Sequence, residues 1–364
     1  MTEEAELLRW RMHAQFAERP SAVAEIARRC AGVQAQDAGA VRLALRARGL
    51  TDPAAVQAAY RAGEVVASWL MRGTLHLVPA EEAAGLLALY RERLLRAGAR
   101  RRRELGLTEE LCARALAVAP GLLDPPPSRA ELIARLREHG VPVEPTGQAP
   151  AHLTAFLAAH GVLCRGADVT PREPGYRPVP PGRDPAVGAP ATGRPATGRP
   201  VVEEAVAAEL ARRYLGAFGP AAPADLAAWS GLPVAVARRA FAAVGATELR
   251  PGLSALPGSV PPPAGPPLVR LLGGYDNFLL GYRSREPMLD AVWARRINAG
   301  GGVIRPALVA DGRVLGTWRK APGELLVEPF EPLPEAVRPG LAAEVEAVGA
   351  FLAEPLALRL GDAG

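Results

Sequence analysis

Glycine and proline punctuate this chain so often that they, more than any other feature, limit what it can build: among 364 residues stand 38 glycines and 37 prolines. Between them the apolar pattern is cut into short helical stretches. The periodicity predicts a helix over 3–16, a second over 21–30 stopped by Gly32, and a third over 37–48 stopped by Gly49. Each stop is a residue that adopts positive φ without penalty. Asp37 is placed to cap the third helix. Thr51-Asp52-Pro53 opens a fourth, with proline in the first turn where its missing N–H is not needed, and Gly63 closes it. The segment 65–78, VVASWLMRGTLHLV, is rich in strand formers and broken by Arg72-Gly73, so it reads as a β-hairpin. Helices followed by a hairpin make a winged helix.

The same order recurs downstream. A long helix over 79–103 carries Arg93, Arg96, Arg100 and Arg103 at spacings of three and four, which aligns them on one face. That stripe fits a polyanion contact or an ordinary solvated face. Thr108 starts another helix, Ser128 and Glu131 form a capping box ahead of a helix ended by Gly140, and 148–160 supplies a third, stopped by Gly161. VLCRG and the Gly/Pro-rich stretch after it read as a wing. Between 182 and 200 ATGRP occurs twice in tandem, the composition of a flexible linker or long wing tip. Helices over 202–215, 224–232 and 233–245 then form a helix-turn-helix with Gly231 at the turn. It would bring Arg238 and Arg239 near phosphates or base edges, unless Trp229, Val236 and Phe241 simply make a small helical core. After a Pro-rich loop, 251–267, the pattern turns to strands: LVRLLGG, VIRPALVA joined by Asp311-Gly312 to RVLGTWRK, and ELLVEPF. Past the Pro339-Gly340 breaker a helix over 341–352 ends the series. The expected fold is mainly α with a small β content (α+β), tandem winged-helix units followed by a C-terminal β-barrel. Its expected divisions are 1–104, 105–181, 182–201 as linker or wing tip, 202–260, and 261–364 as barrel and last helix.

Composition narrows the function. With 49% hydrophobic residues the chain can bury several cores, and its net charge of +5 and pI near 9.5 suit a polyanion partner, although a GC-rich genome would also enrich arginine. Cys30, Cys112 and Cys164 form no CxxC pair and the five histidines no HExxH cluster, so neither a metal nor another cofactor is expected. No apolar run reaches the roughly 20 residues of a membrane span, and MTEEAELLRW lacks a signal-peptide layout, which points to the cytoplasm without a membrane partner. GxxxxGK[ST], strand-GxGxxG-helix and GxSxG signatures are missing, arguing against nucleotide-dependent or serine-nucleophile chemistry.

One short motif stands between helices: Gly32-Val33-Gln34-Ala35-Gln36-Asp37. Residues two apart diverge on a helix but point the same way in extended chain, so Gln34 and Gln36 would converge on one small target. Alternatively, they satisfy backbone groups at a helix junction.

Four segments, VQAQD, SWLMRGTLHLVPAEE, LLGGYDNFLLGYRSRE and RVLGTWRK, together resemble the winged-helix DNA glycosylases of the AlkZ and YcaQ type, over about 7–330 apart from the ATGRP repeat. The family carries a catalytic Gln-aliphatic-Gln motif, and Gln34-Ala35-Gln36 looks like it. The resemblance implies a monofunctional DNA glycosylase that hydrolyses the N-glycosidic bond of N7-alkylated purines, including bulky adducts and interstrand cross-links, with a water positioned by Gln34 and Gln36. The implied partner is double-stranded DNA containing alkylated bases, met by a nucleoid-associated monomer. Arg72, Thr74 and His76 in the first hairpin would bind DNA or brace the channel, and Arg283 would contact DNA. Tyr275, Asp276, Asn277 and Tyr282 would pack the barrel against the winged helices. The competing function is a non-catalytic winged-helix transcriptional regulator, which activity on alkylated DNA would separate.

Overall fold

The computed structural model of the chain describes residues 2–171, 173–182 and 200–362, so nearly all of the ATGRP repeat read as a linker lies outside the described residues. Two compact units emerge, one of Val56–Ala207 and one that joins Met1–Ala55 to Ala208–Gly364.

In the continuous unit the expected hairpin is present. Val65–Trp69 and Leu75–Pro79 pair antiparallel, from Val65 opposite Pro79 to Trp69 opposite Leu75. Their connection needs left-handed backbone at Arg72 (φ 54°) and Gly73 (φ 74°). Val65–Trp69 also pairs with Leu163–Thr170, which pairs in turn with Glu173–Pro178, the expected wing. Three helices precede that wing. Glu109–Val118 is capped by Thr108, and Arg129–Glu138 by the Ser128/Glu131 box with both reciprocal bonds made, at 3.2 and 2.7 Å. Ala149–Ala159 is the third. Leu132, Leu136, Leu153, Leu157, Leu163 and Tyr176 fill the core between them. The 22-residue helix Ala83–Glu104 buries only its first two turns, through Ala83, Ala84, Leu86, Leu87 and Tyr90. Its remaining turns carry arginine.

The discontinuous unit begins with helices Glu3–Phe16, capped by Thr2, Val23–Arg29 and Ala38–Ala47. Helix Pro200–Phe218 leads to Pro223–Ser230 and Val234–Ala243, followed by a small hairpin, Thr247–Arg250 with Leu253–Ala255, whose second strand lies inside the stretch read as Pro-rich loop. Gly231 makes the expected turn at φ 76°.

The C-terminal strands correct the expected barrel. They form an open five-stranded sheet in the order Ala357–Leu360, Glu324–Pro329, Arg313–Ala321, Ala307–Ala310 and Val269–Leu272, whose two edges do not meet. A helix covers the apolar face instead of sheet curling onto itself. Val337, Leu341, Val345 and Val348, on and beside helix Arg338–Leu352, pack on Val269, Leu271, Leu308, Trp318, Leu325 and Val327. That helix carries the chain across so that Ala357–Leu360 joins parallel to Glu324–Pro329 while the other pairs are antiparallel. Pro339, expected as a breaker, sits in the helix's first turn, where an N–H is not required.

Buried charge ties this unit together. Glu344 accepts from Arg46 (2.9 Å), from Arg270 (3.4 Å) and from the backbone N–H of Leu271 (2.9 Å), while Arg46 also donates to the Leu271 carbonyl (2.6 Å). At the Asp311-Gly312 turn, Arg9 pairs with Asp311 at 2.9 Å, and a Cβ on Gly312 would stand 2.3 Å from the Leu8 carbonyl oxygen. Only glycine, already at φ 84°, lets the turn approach the first helix so closely. Among the described residues no helix is long and apolar enough to cross a membrane.

Candidate active site

Helix Val23–Arg29 stops at Cys30, and the chain then reverses through Ala31 (φ 55°) and Gly32 (φ 100°) into a two-residue extended segment, Val33–Gln34. Asp37 starts the next helix, its carboxylate accepting the Ala40 N–H at 2.6 Å. Extended chain between two helix ends brings residues two apart to one side. The Gln34 amide nitrogen accordingly donates to Gln36 Oε1 at 3.1 Å. Gln34 is 8% exposed, whereas Gln36 is exposed. Gln34 Oε1 is buried with no hydrogen-bond partner.

The backbone groups that the glutamines were free to satisfy are served by another residue. Asn277 Oδ1 accepts the Gln34 N–H at 3.1 Å, and Asn277 Nδ2 donates to the Gly32 carbonyl at 2.6 Å. Its neighbour Asp276, fully buried, receives both terminal nitrogens of Arg48 at 2.8 and 2.9 Å and the Phe278 N–H at 2.9 Å. Arg48 also donates to Gln15 Oε1 at 2.5 Å, and its guanidinium lies 4.7 Å from the Phe16 ring centroid. Tyr275, at φ 59°, opens this stretch in a conformation that costs a non-glycine residue roughly 1–2 kcal/mol. Tyr282, the other residue of that signature, donates its hydroxyl to the Phe218 carbonyl at 3.0 Å and stacks under Arg11. The nearby carboxylates are thus engaged: Asp37 caps a helix and Asp276 balances a buried guanidinium. What remains beside Gln34 is a neutral amide pair, suited to orienting a small polar molecule rather than to strong base chemistry. Cys30, Cys112 and Cys164 are buried free thiols, and burial pushes each of them up in pKa.

The other residues singled out from sequence fall in both units. Arg72 is exposed in the hairpin turn, and the Thr74 hydroxyl donates to the Met71 carbonyl at 3.1 Å. His76 is 1% exposed, with Nδ1 3.0 Å from the Thr74 carbonyl oxygen, so of its two expected roles burial fits the brace and goes against a direct DNA contact. Burial lowers its pKa to about 3 and keeps it neutral. Arg93, Arg96, Arg100 and Arg103 are all exposed, within a run of seven arginines and two glutamates from Arg91 to Glu104. Glu92 holds Arg96 at 2.6 Å, and Glu104 holds Arg100 at 2.8 Å. Such exposed pairs are weak, so a phosphate can displace the carboxylate. In the discontinuous unit Arg238, Arg239 and Arg283 are exposed, while of the three residues of the helical-core reading Trp229 and Phe241 are buried and Val236 is half-buried. Sequence reading did not find Gln15 and Arg48, which buttress Asp276; nothing local distinguishes them from other helix-borne polar residues.

Residues 27–351 match the family model described as DNA glycosylase AlkZ-like. A curated relative from Streptomyces sahachiroi, named an interstrand DNA cross-link repair glycosylase, is 29% identical over 346 residues, spanning 88% of this chain and 89% of the relative. Among solved structures, Streptomyces sahachiroi DNA glycosylase AlkZ is similar with a TM-score of 0.79 and 25% identity, over 99% of this chain and 100% of that one.

Proposed function

Since this chain belongs to the AlkZ-like DNA glycosylase family and is a hydrolase of N-glycosyl bonds, we propose that it releases N7-alkylated purines from duplex DNA, with Gln34 and Gln36 holding the attacking water. The observation that carries this reading is the unpartnered, buried Oε1 of Gln34 beside an amide already committed to Gln36. An acceptor of that kind, fixed by its neighbour, orients a water's O–H bond while the water oxygen faces the anomeric carbon.

The chemistry asks little more. N7 alkylation places a positive charge on the purine, so the departing base takes the electrons of the C1′–N9 bond and leaves neutral, without a general acid. Oxocarbenium character at C1′ makes water a sufficient nucleophile, and the proton that the new hydroxyl must lose is acidic enough to pass to solvent. The protein's contribution is placement, which in well-oriented systems replaces a large part of the entropic barrier. Bulky adducts and interstrand cross-links belong to the same substrate class. The relative's name assigns it to cross-link repair, and an open channel rather than a tight pocket for an extruded base suits lesions that cannot be flipped cheaply.

Duplex DNA is the partner, met by a monomer at the nucleoid. Two segments, each with three helices followed by a hairpin, 109–178 and 200–255, have the element order of winged helices. The exposed Arg93, Arg96, Arg100, Arg103, Arg238, Arg239 and Arg283, with Arg72 at a turn, supply phosphate contacts that position without reading sequence. The test is base release from three duplexes carrying N7-methylguanine, a bulky N7-guanine adduct, or an N7–N7 interstrand cross-link. Release from the first two supports the substrate class and unhooking of the third extends it; no release from any of them overturns it.

A further inference from the structure

Asn277 is 2% exposed and uses both ends of its amide on the turn that presents Gln34. Its oxygen takes the Gln34 N–H at 3.1 Å and its nitrogen gives to the Gly32 carbonyl at 2.6 Å, from a position 243 residues away in the chain. The turn so held contains Ala31 at φ 55° and Gly32 at φ 100°. A non-glycine residue in the left-handed region relaxes unless its surroundings hold it. Asn277 is itself anchored, because the preceding residue, Asp276, is locked by two bonds from Arg48 at the end of the helix that follows the motif. Gly32 and Gln34 before the motif's end and Arg48 beyond the following helix are therefore tied to two adjacent residues, Asp276 and Asn277.

We propose that Asn277 is a positioning residue for the reaction: it sets the register of the turn and hence where Gln34 presents its free oxygen. This rests on the reading of Gln34 as a water-holding residue. The choice of side chain follows from the groups to be matched. One planar group must accept from an N–H and donate to a carbonyl two residues earlier, which an asparagine amide does and an ionised carboxylate cannot, since it has no donor. Losing the clamp would leave binding to DNA intact but let the amide pair drift. A misplacement on the order of 1 Å at a reacting centre costs about 100-fold in rate.

The test is a double-mutant cycle on the full chain, with single-turnover release of N7-methylguanine and affinity for an undamaged duplex measured together. Asn277→Ala is expected to lose about 100-fold in rate with affinity unchanged, and Asn277→Asp, which keeps the acceptor alone, to lose less. In a Gln34→Ala background, Asn277→Ala is expected to cost almost nothing further, because its effect passes through Gln34. Glu344→Gln, a destabilising change elsewhere in the same unit, serves as the control for general loosening and is expected to lower Tm without changing the rate. Amide exchange at Gln34, faster in Asn277→Ala than in the native chain, reads the clamp independently of activity. The near-isosteric Asn277→Asp serves if Asn277→Ala does not fold. Equal losses from Asn277→Ala with and without Gln34, or native rates in both Asn277 variants, would overturn the proposal. A native chain that releases no base would instead overturn the water-holding reading, and this role with it.

Discussion

His76 shows how one side chain can be placed by sequence while its role stays open between a DNA contact and a buried brace. Its strand position was legible from the alternating pattern of the hairpin, but whether that face meets solvent depends on what packs over it, which no local pattern encodes. The consequence is measurable. Burial holds the ring's pKa near 3, so the folded chain keeps it neutral, whereas the unfolded chain binds a proton below about 6.5. The stability it contributes is complete above that value and is lost as pH falls toward 3, at a slope of up to about 1.4 kcal/mol per pH unit. Urea unfolding is expected to show about 2 kcal/mol of stability lost from this group between pH 7 and pH 5. The same comparison in His76→Gln should show that much less pH dependence; an unchanged difference would mean the ring titrates in the folded state. The glutamine pair was readable for a simpler reason: a motif squeezed between a helix stop and an N-cap must be extended, so residues 34 and 36 share a side. Asn277 was visible as part of a signature, but not as their clamp, since its partners lie more than 240 residues away.

Elements bounded by strong local signals were the ones that sequence located well. The Ser128/Glu131 box, the Asp37 cap, the Asp311-Gly312 turn and the Gly231 stop all act within a few residues, and each is where the pattern put it. The terminal strand Ala357–Leu360 carries no such signal: every residue in it is exposed, so it lacks the buried alternation that marks a strand, and it is held by backbone pairing and the exposed Arg359–Glu324 ion pair at 3.5 Å. The helix before it, Arg338–Leu352, is held by an interaction equally invisible in sequence, the contact of Glu344 with Arg46 and Arg270. Removing one member of a buried ion pair leaves the others uncompensated, at about 3–5 kcal/mol. Glu344→Gln, which keeps one acceptor, is expected to lower unfolding stability by about 3 kcal/mol, measured by denaturant titration at neutral pH. A loss below about 0.5 kcal/mol would mean that the guanidiniums find water or carbonyl partners instead.

For the whole molecule, the linear order of segments hid the fact that the first fifty-five residues fold with the C-terminal part. That gathering brings Gln34 to Asn277 and Arg48 to Asp276, and it places three of the four segments carrying the family resemblance, all but SWLMRGTLHLVPAEE, in one unit. On the proposed reading, charge at this scale sets DNA affinity rather than chemistry. Replacing Arg93, Arg96, Arg100 and Arg103 together by glutamine is expected to weaken binding uniformly across sequences. The plot of log affinity against log salt should flatten by up to about 0.9 for each arginine that sits on a phosphate. An unchanged slope would leave this helix face to solvent. The central claim is that two neutral amides position the hydrolytic water, and single-turnover release of N7-methylguanine by Gln34→Ala/Gln36→Ala tests it most directly. The expected result is a rate at least about 100-fold below the native chain, with duplex affinity preserved within about twofold. Release at the native rate by the double variant would contradict it.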